Sequence, residues 1–288
     1  MKQRWLVAII GLPLLLLVLL ACPAWATMLL VCAIAGAAAY ELLHVAGKNV
    51  SGGVYAITIL SAILQTAGVY LVRARAVTNP MSIGAANSAP LDPLWLLPCL
   101  LTVLLFFHAV KTYGTGSALP FSTVAAGVLG GAVFPMMYAC ILLLRMHETY
   151  GRLYVLAPFF TAFAGDALAM YFGKWFGKRK MAPRVSPNKT WAGFYGSILG
   201  SVAGMLLFGL IGSRWLGYAP NWLCLALVGA AANLLGQLGD LSTSLIKREA
   251  GVKDYSRLLL EHGGVLDRFD STLFIAPVIY ISASFGWI

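Results

Sequence analysis

The feature that most constrains this chain is a series of apolar runs, each close to the length needed to cross a bilayer. A membrane-spanning helix needs about 20 apolar residues, and nine such runs are present: 5–22, 27–46, 52–72, 94–112, 120–144, 153–173, 191–213, 221–243 and 270–288. Only 10% of the residues are charged, against roughly 25% in soluble domains. Each span must satisfy its own backbone hydrogen bonds. The sequence therefore predicts an all-α polytopic membrane protein with about nine transmembrane helices.

The distribution of Lys and Arg predicts the orientation of these helices. With nine spans, 15 of the 20 basic residues fall on the side of the N-terminus. Because excess Lys and Arg mark the cytoplasmic side, we expect the N-terminus inside and the C-terminus outside. The segment 24–26 resembles a signal-peptidase site, but the first apolar run is longer than a usual signal and favours a retained span. No basic and aromatic platform indicates nucleic acid.

Chemistry-bearing residues are concentrated in the second half of the chain. Residues 1–150 form a hydrophobic N-terminal region, in which Glu41 and His44 are interpreted as a pair near the inner end of a helix. Residues 151–288 form a predicted catalytic region with cytoplasmic charged loops. The segment 244–271 alone contains five of the ten acidic residues.

Asp166 introduces a carboxylate into the sixth apolar run. A carboxylate at membrane depth is costly and normally faces a partner or a water-filled cavity. Lys174 and Lys178 follow at helical spacing, which predicts one shared helix face. Their alternative interpretation is a group of lysines that reach the membrane surface beside a structural aspartate.

The loop before the seventh run contains a candidate phosphate site. Ser186 precedes a proline that interrupts the chain, and Thr190 is a predicted N-cap. A helix N-terminus offers free N–H groups to phosphate, and Arg184 and Lys189 flank it. Because basic inner loops are common, this signal is weak by itself.

The eighth run carries a polar stripe on one helix face: Asn233, Gln237, Asp240, Ser244, Lys247 and Arg248. Such a stripe is typical of a helix that lines a wet cavity, and the alternative is a stripe that joins helices by hydrogen bonds. Further on, Gly263 and Gly264 permit a tight turn. Asp267 and Asp270 follow, three residues apart. Their charges could stabilise the N-terminus of a helix through its dipole, or they could bind Mg²⁺ together with substrate phosphates.

The segment from Ser244 to Ser271 closely resembles the signature of the phosphatidate cytidylyltransferases. The matching positions are Ser244, Lys247, Arg248, Lys253, Asp254, Ser256, His262, Gly263, Gly264, Asp267, Arg268, Asp270 and Ser271. Residues 165–193 and the Gly239-Asp240 pair also match. The chain departs from the family pattern at Ala167, Met170, Ala192, Thr243 and Leu260-Glu261, where the family usually has other side chains, including a Glu at 243.

The resemblance implies that CTP and phosphatidic acid react to give CDP-diacylglycerol and pyrophosphate. Implied metal ligands for Mg²⁺ are Asp240 and Asp267, helped by Asp166 or Asp270, and a second, monovalent cation is left open. Implied catalytic residues are Lys247, Arg248, Lys253, His262, Asp267 and Arg268. Implied substrate-binding residues are Ser186, Lys189, Thr190, Ser244, Asp254, Gly263 and Gly264. The resemblance also implies a homodimer in contact with membrane lipids.

Three alternatives differ from this expectation. One is a CTP-dependent transferase or kinase that acts on another lipid phosphate, and another is a lipid-binding relative without catalysis. The third is an ion-coupled transporter, but the charges gather at one surface and no inverted repeat is evident. The absence of a soluble extension favours a bacterial inner membrane, with the active site facing the cytoplasm.

Overall fold

The computed structural model describes residues 11–78, 94, 96–259 and 263–288. These residues form nine helices: α1 (Gly11–Ala21), α2 (Ala24–Ala46), α3 (Gly52–Thr78), α4 (Leu96–Thr112), α5 (Phe121–Arg145), α6 (Gly151–Phe176), α7 (Trp191–Trp215), α8 (Trp222–Glu249) and α9 (Leu266–Ser284). They also contain one hairpin of strands β1 (Lys180–Ala182) and β2 (Ser186–Thr190).

The predicted all-α membrane class is confirmed by the length and composition of the helices. Within the described residues, six helices are long and apolar enough to cross a membrane, namely α2, α3, α5, α6, α7 and α8. Helices α1 and α4 are apolar but shorter. Helix α9 has 19 residues, and three charged side chains lie in its first five positions.

Two local features between α6 and α7 differ from the sequence prediction. Helix α6 ends at Phe176, so the prediction that Lys178 shares a helix face with Asp166 is wrong. The following residues form the antiparallel hairpin, with Lys180 opposite Thr190 and an irregularity between Lys180 and Ala182. Pro187 is tolerated in β2 because both strands of a two-stranded sheet are edge strands.

The described residues form two compact units by contact. The first unit comprises Met1–Met146 and Glu249–Arg268, and the second comprises His147–Arg248 and Phe269–Ile288. This division follows contacts in space. The division into a hydrophobic region 1–150 and a catalytic region 151–288 followed composition, and it stays a prediction.

The first unit contains a polar anchor inside its apolar core, which α2, α3 and α5 form by packing together. One turn of α5, Leu129–Val133, is π-helical. The carbonyl oxygen of Gly131 in this turn accepts hydrogen bonds from Ser61 Oγ (2.9 Å) and Gln65 Nε2 (2.6 Å). Since a π-turn disturbs the regular backbone ladder, the two side chains of α3 supply donors to a carbonyl that is buried in the core.

The second unit is held together by glycine contacts between helices. Gly196, Gly200 and Gly204 of α7 are spaced four apart, and a Cβ atom at each would contact α6. At Gly200 that atom would overlap the carbonyl group of Ala164. Small residues permit this close packing in a bilayer, where the hydrophobic effect does not drive helices together.

Candidate active site

A cavity of about 430 Å³ lies within the second unit. Its walls come from α6, the β-hairpin, the first turn of α7 and α8. The polar side chains in these walls belong to Asp166, Lys174, Lys180, Asn188, Lys189, Thr190, Gln237 and Asp240. Asp166 thus lines a cavity, one of the two surroundings expected for such a carboxylate. Four residues of the predicted site share this pocket: Asp166, Lys189, Thr190 and Asp240.

An ion pair occupies the wall of this cavity. Lys189 Nζ lies 2.7 Å from Asp240 Oδ2 and donates to Gln237 Oε1 at 3.0 Å. The Lys189 side chain is 19% exposed and the Asp240 side chain 32%, so both groups remain accessible from the cavity. The pair therefore presents an ammonium group and a carboxylate to a bound ligand.

Behind the ion pair, hydrogen bonds continue into the helix packing. Gln237 Nε2 donates to Ser197 Oγ, which donates to Asn233 Oδ1, each at 2.7 Å. Asn233 Nδ2 donates to Ser201 Oγ at 2.7 Å, and Ser201 donates to the carbonyl oxygen of Thr161 at 2.8 Å. Because Ser197 and Ser201 are fully buried, this part of the network joins α6, α7 and α8.

The polar stripe of α8 thus has two parts with different surroundings. At Asn233 it joins helices, as the alternative interpretation held, and at Gln237 and Asp240 it lines the cavity. Ser244 Oγ donates to Asp240 Oδ1 at 3.3 Å, so it helps to orient that carboxylate. The next residues outward, Lys247 and Arg248, differ in exposure: Lys247 is buried and Arg248 is exposed, with its Nε donating to Val185 O.

The start of α7 closes one end of the cavity. Thr190 has extended backbone geometry, and its side chain accepts a hydrogen bond from the N–H of Gly193 at 3.1 Å. The predicted N-cap is therefore confirmed. A Cβ atom at Gly193 would lie 3.0 Å from the carbonyl oxygen of Ala169, so glycine here lets the capped end of α7 approach α6. Ser186, at the start of β2, does not line the cavity.

Asp270 lies in the first turns of α9 and is only 9% exposed. Its Oδ1 accepts from the N–H of Ser271 at 2.6 Å, and Thr243 Oγ1 donates to its Oδ2 at 3.4 Å. The charges of Asp240, Lys247 and Asp166 all act on this carboxylate. The second unit thus places three of the four predicted metal-binding carboxylates within electrostatic range of one another.

The fourth predicted metal ligand, Asp267, belongs to the first unit. Its Oδ2 accepts from the N–H groups of Tyr255 (2.8 Å) and Gly264 (2.9 Å). Gly263 has φ +81°, a left-handed conformation that glycine adopts without strain. The described parts of the signature loop on either side, at Tyr255 and Gly264, therefore meet at the Asp267 carboxylate.

Glu41 is the residue whose importance the sequence interpretation missed. It is 1% exposed and accepts from Ser256 Oγ (2.6 Å), Val265 N (2.9 Å) and Leu266 N (2.8 Å). A Cβ atom at Gly264 would lie 2.6 Å from both Glu41 carboxylate oxygens. The signal in the sequence was a lone carboxylate inside an apolar run, and the pairing with a segment more than 200 residues away was not visible there.

The remaining residues of the signature are accessible or outside the description. Lys253, Asp254 and Arg268 are exposed. His262 lies outside the described residues, as do the departures Leu260 and Glu261. The structure therefore leaves the predicted role of His262 as a prediction.

The donor set of the cavity fits a hard cation such as Mg²⁺. Among residues 11–78, 94, 96–259 and 263–288, no three His, Cys, Asp or Glu side chains are grouped as a metal site. Mg²⁺ does not require such a group, because it binds one or two carboxylates and completes its shell with water and substrate phosphate oxygens. Asp240 already holds a positive charge, the Lys189 ammonium, at the cavity wall.

A family model and several relatives match this chain. A family model described as the cytidylyltransferase family matches residues 2–285. The chain is 35% identical to a phosphatidate cytidylyltransferase of Bacillus subtilis (strain 168) over 181 residues, which cover 63% of this chain and 64% of that protein. It is 32% identical to a phosphatidate cytidylyltransferase of Haemophilus influenzae over 223 residues, 74% of this chain and 73% of that protein.

A third relative is matched over a shorter and more similar segment. A phosphatidate cytidylyltransferase of Staphylococcus epidermidis is 43% identical over 131 residues, which cover 46% of this chain and 49% of that protein. The chain thus spans about half of this relative and less than two thirds of the Bacillus subtilis protein.

Proposed function

The chain belongs to the cytidylyltransferase family, and we propose that it transfers a cytidylyl group from CTP to phosphatidic acid. The products are CDP-diacylglycerol and pyrophosphate. The observation that carries this proposal is the cavity of the second unit, in which Lys189 and Asp240 form an accessible ion pair beside Asp166 and two further lysines. Cations and carboxylates together suit a metal-bound polyphosphate, because lysines bind its phosphate oxygens and carboxylates bind its metal ion.

The reaction requires two anions to approach each other. A phosphate oxygen of phosphatidic acid forms a bond to the α-phosphorus of CTP, and the bond from that phosphorus to pyrophosphate breaks. Positioning and charge neutralisation supply most of the catalysis of such transfers. The attacking monoester is already largely ionised near neutral pH, so the chain needs no strong general base.

Within the cavity, the proposed roles follow from position. Asp240 and Asp166 would hold Mg²⁺, with Asp270 close by, and Asp267 stays a ligand predicted from the signature. Mg²⁺, when bound, supplies charge neutralisation at the triphosphate and the leaving pyrophosphate. Lys189 is poised to exchange its contact with Asp240 for a phosphate oxygen, while Gln237 keeps its ammonium oriented.

The finer topology is part of this proposal. The helices α1, α4 and α9 coincide with the three apolar runs beyond the six long helices, which supports nine spans in all. We propose a cytoplasmic N-terminus, an external C-terminus and a cavity that opens to the cytoplasm of a bacterial inner membrane. The homodimer is carried over from the family resemblance.

The test is CTP-dependent release of pyrophosphate by the purified chain in detergent with phosphatidic acid and Mg²⁺. Asp240→Asn should lower kcat by on the order of 100-fold or more, since it removes a carboxylate proposed to hold Mg²⁺ at the triphosphate. Glu249→Gln is the matched control, because Glu249 is an exposed carboxylate at the end of the same helix. It should retain the parent rate.

Two outcomes count against the proposal. If folded Asp240→Asn keeps the parent rate, the cavity is not the reactive site. If the folded parent chain releases no pyrophosphate with phosphatidic acid, the same assay with polyprenyl phosphate or another lipid phosphate decides whether the alternative transferase is correct.

A further inference from the structure

A different cavity, of about 760 Å³, lies wholly in the first unit. The C-terminal turns of α4, the linker from α4 to α5, the start of α5 and the linker from α2 to α3 form its walls. Its volume lies in the range of pockets that hold small ligands. None of its lining residues belongs to the signature or to the proposed catalytic cavity, so the reaction does not explain it.

The walls of this groove are apolar and open to the surroundings. Val110 is 74% exposed and Phe121 71% exposed, and they come from the facing helices α4 and α5. Phe106 and Val124 extend the apolar surface along the same two helices. Apolar side chains exposed on such helices are suited to contact with lipid acyl chains, which are as apolar as leucine.

One end of the groove is basic and fixed to the helices. Lys48 is exposed, and its backbone N–H donates to Thr123 Oγ1 at 2.7 Å while Thr123 donates back to the Lys48 carbonyl at 2.9 Å. Asn49 Nδ2 donates to the carbonyl of Ala118 at 2.9 Å. These bonds hold the linker after α2 against the start of α5. Since the linker after α2 joins two of the six long apolar helices, we place this end of the groove at the level of the lipid head groups.

We propose that this groove binds one anionic phospholipid, with an acyl chain along Val110 and Phe121 and the head-group phosphate at Lys48. Among the described residues that line the groove, none is acidic, so the Lys48 ammonium meets no opposing carboxylate there. A lysine at this depth is attracted to anionic lipid. The apolar walls match an acyl chain, and the basic end matches the anionic head group of the same lipid.

The experiment measures lipid retained by the purified full chain. Dioleoylphosphatidylglycerol or dioleoylphosphatidylcholine is added in nonionic detergent, and bound lipids are counted by native mass spectrometry. Val110→Trp fills the groove and Lys48→Gln removes its charge. The matched controls are Val103→Trp and Lys111→Gln, which alter exposed positions of α4 that do not line the groove.

The parent chain should retain one phosphatidylglycerol and little phosphatidylcholine. Both groove variants should lower the fraction of chains with bound phosphatidylglycerol at least fivefold, and both controls should match the parent. Unfolding temperatures measured without lipid confirm that each variant is folded. Equal retention in groove and control variants overturns the proposal, as does equal retention of the two lipids. A change of oligomeric state in Val110→Trp without loss of lipid also overturns it and identifies the groove as an interface between copies.

Discussion

Replacing Glu41 by glutamine keeps the shape of the side chain and removes its charge. In the native chain Oε1 accepts from Ser256 and Val265, whereas Oε2 accepts from Leu266 and from no other described residue. Glutamine has one oxygen. If that oxygen keeps the two contacts of Oε1, its NH₂ group faces the N–H of Leu266, and two donors oppose each other at the start of α9.

The expected cost follows from these contacts. A hydrogen bond to a charged group contributes roughly 1.5–3 kcal/mol, and a buried N–H without a partner costs about 1–3 kcal/mol. The two terms overlap at Leu266, because the lost bond and the unpaired N–H are the same group. We therefore expect Glu41→Gln to lower the free energy of unfolding by roughly 1–3 kcal/mol, the range of one term alone.

The assay is reversible unfolding in mixed micelles, combined with hydrogen exchange of the segment 255–266. Glu41→Gln should speed exchange at Val265 and Leu266. Glu249→Gln, the same change at an exposed position, should alter stability by less than about 0.5 kcal/mol. If Glu41→Gln unfolds like this control and exchange at 265–266 is unchanged, the carboxylate does not hold the loop and the reasoning is refuted.

Three further substitutions test other contacts in the same unfolding assay. Gly264→Ala should cost more than about 2 kcal/mol, because its Cβ would meet a buried carboxylate at 2.6 Å. Parent-like stability would contradict the close approach. Gln65→Leu should cost about 1 kcal/mol or less. The substitution loses the hydrogen bond to Gly131 but also removes a buried amide oxygen that has no partner among the described residues. A loss well above this value would show that the π-turn depends on the Gln65 side chain. Gly200→Leu should disrupt the packing of α7 on α6, since Ala164 backbone occupies that space, and a folded, parent-like variant would refute it.

Hydropathy and local spacing were sufficient for the features that one helix determines. The apolar runs located the six long helices, and the Ser/Thr pattern before the seventh run located the cap at Thr190. The period of α8 placed Asp240 on the cavity side. Each of these depends on residues within a few turns of one another, where composition and helical period carry the information.

Features that need two distant segments were not predictable from the sequence. The prediction that Lys178 shares a helix face with Asp166 failed because it extended α6 past its true end at Phe176. The carbonyl of Gly131 in the π-turn accepts from a donor in α3, and the N–H of Leu266 donates to Glu41, 225 residues earlier in the chain. A single sequence contains no direct record of such pairings, so a buried carboxylate signals only that some partner exists.

The departure at Thr243 can now be considered in its surroundings. The family resemblance places a Glu at this position, next to Asp270, which is itself 9% exposed. Thr243 is 1% exposed, and its hydroxyl lies 3.1 Å from the Asp240 carbonyl and 3.4 Å from Asp270 Oδ2. A hydroxyl here can donate to the Asp270 carboxylate, whereas a second buried carboxylate would repel it unless a cation lay between them. The substitution therefore removes negative charge from the second unit and leaves Asp240 and Asp166 as the carboxylates that line its cavity.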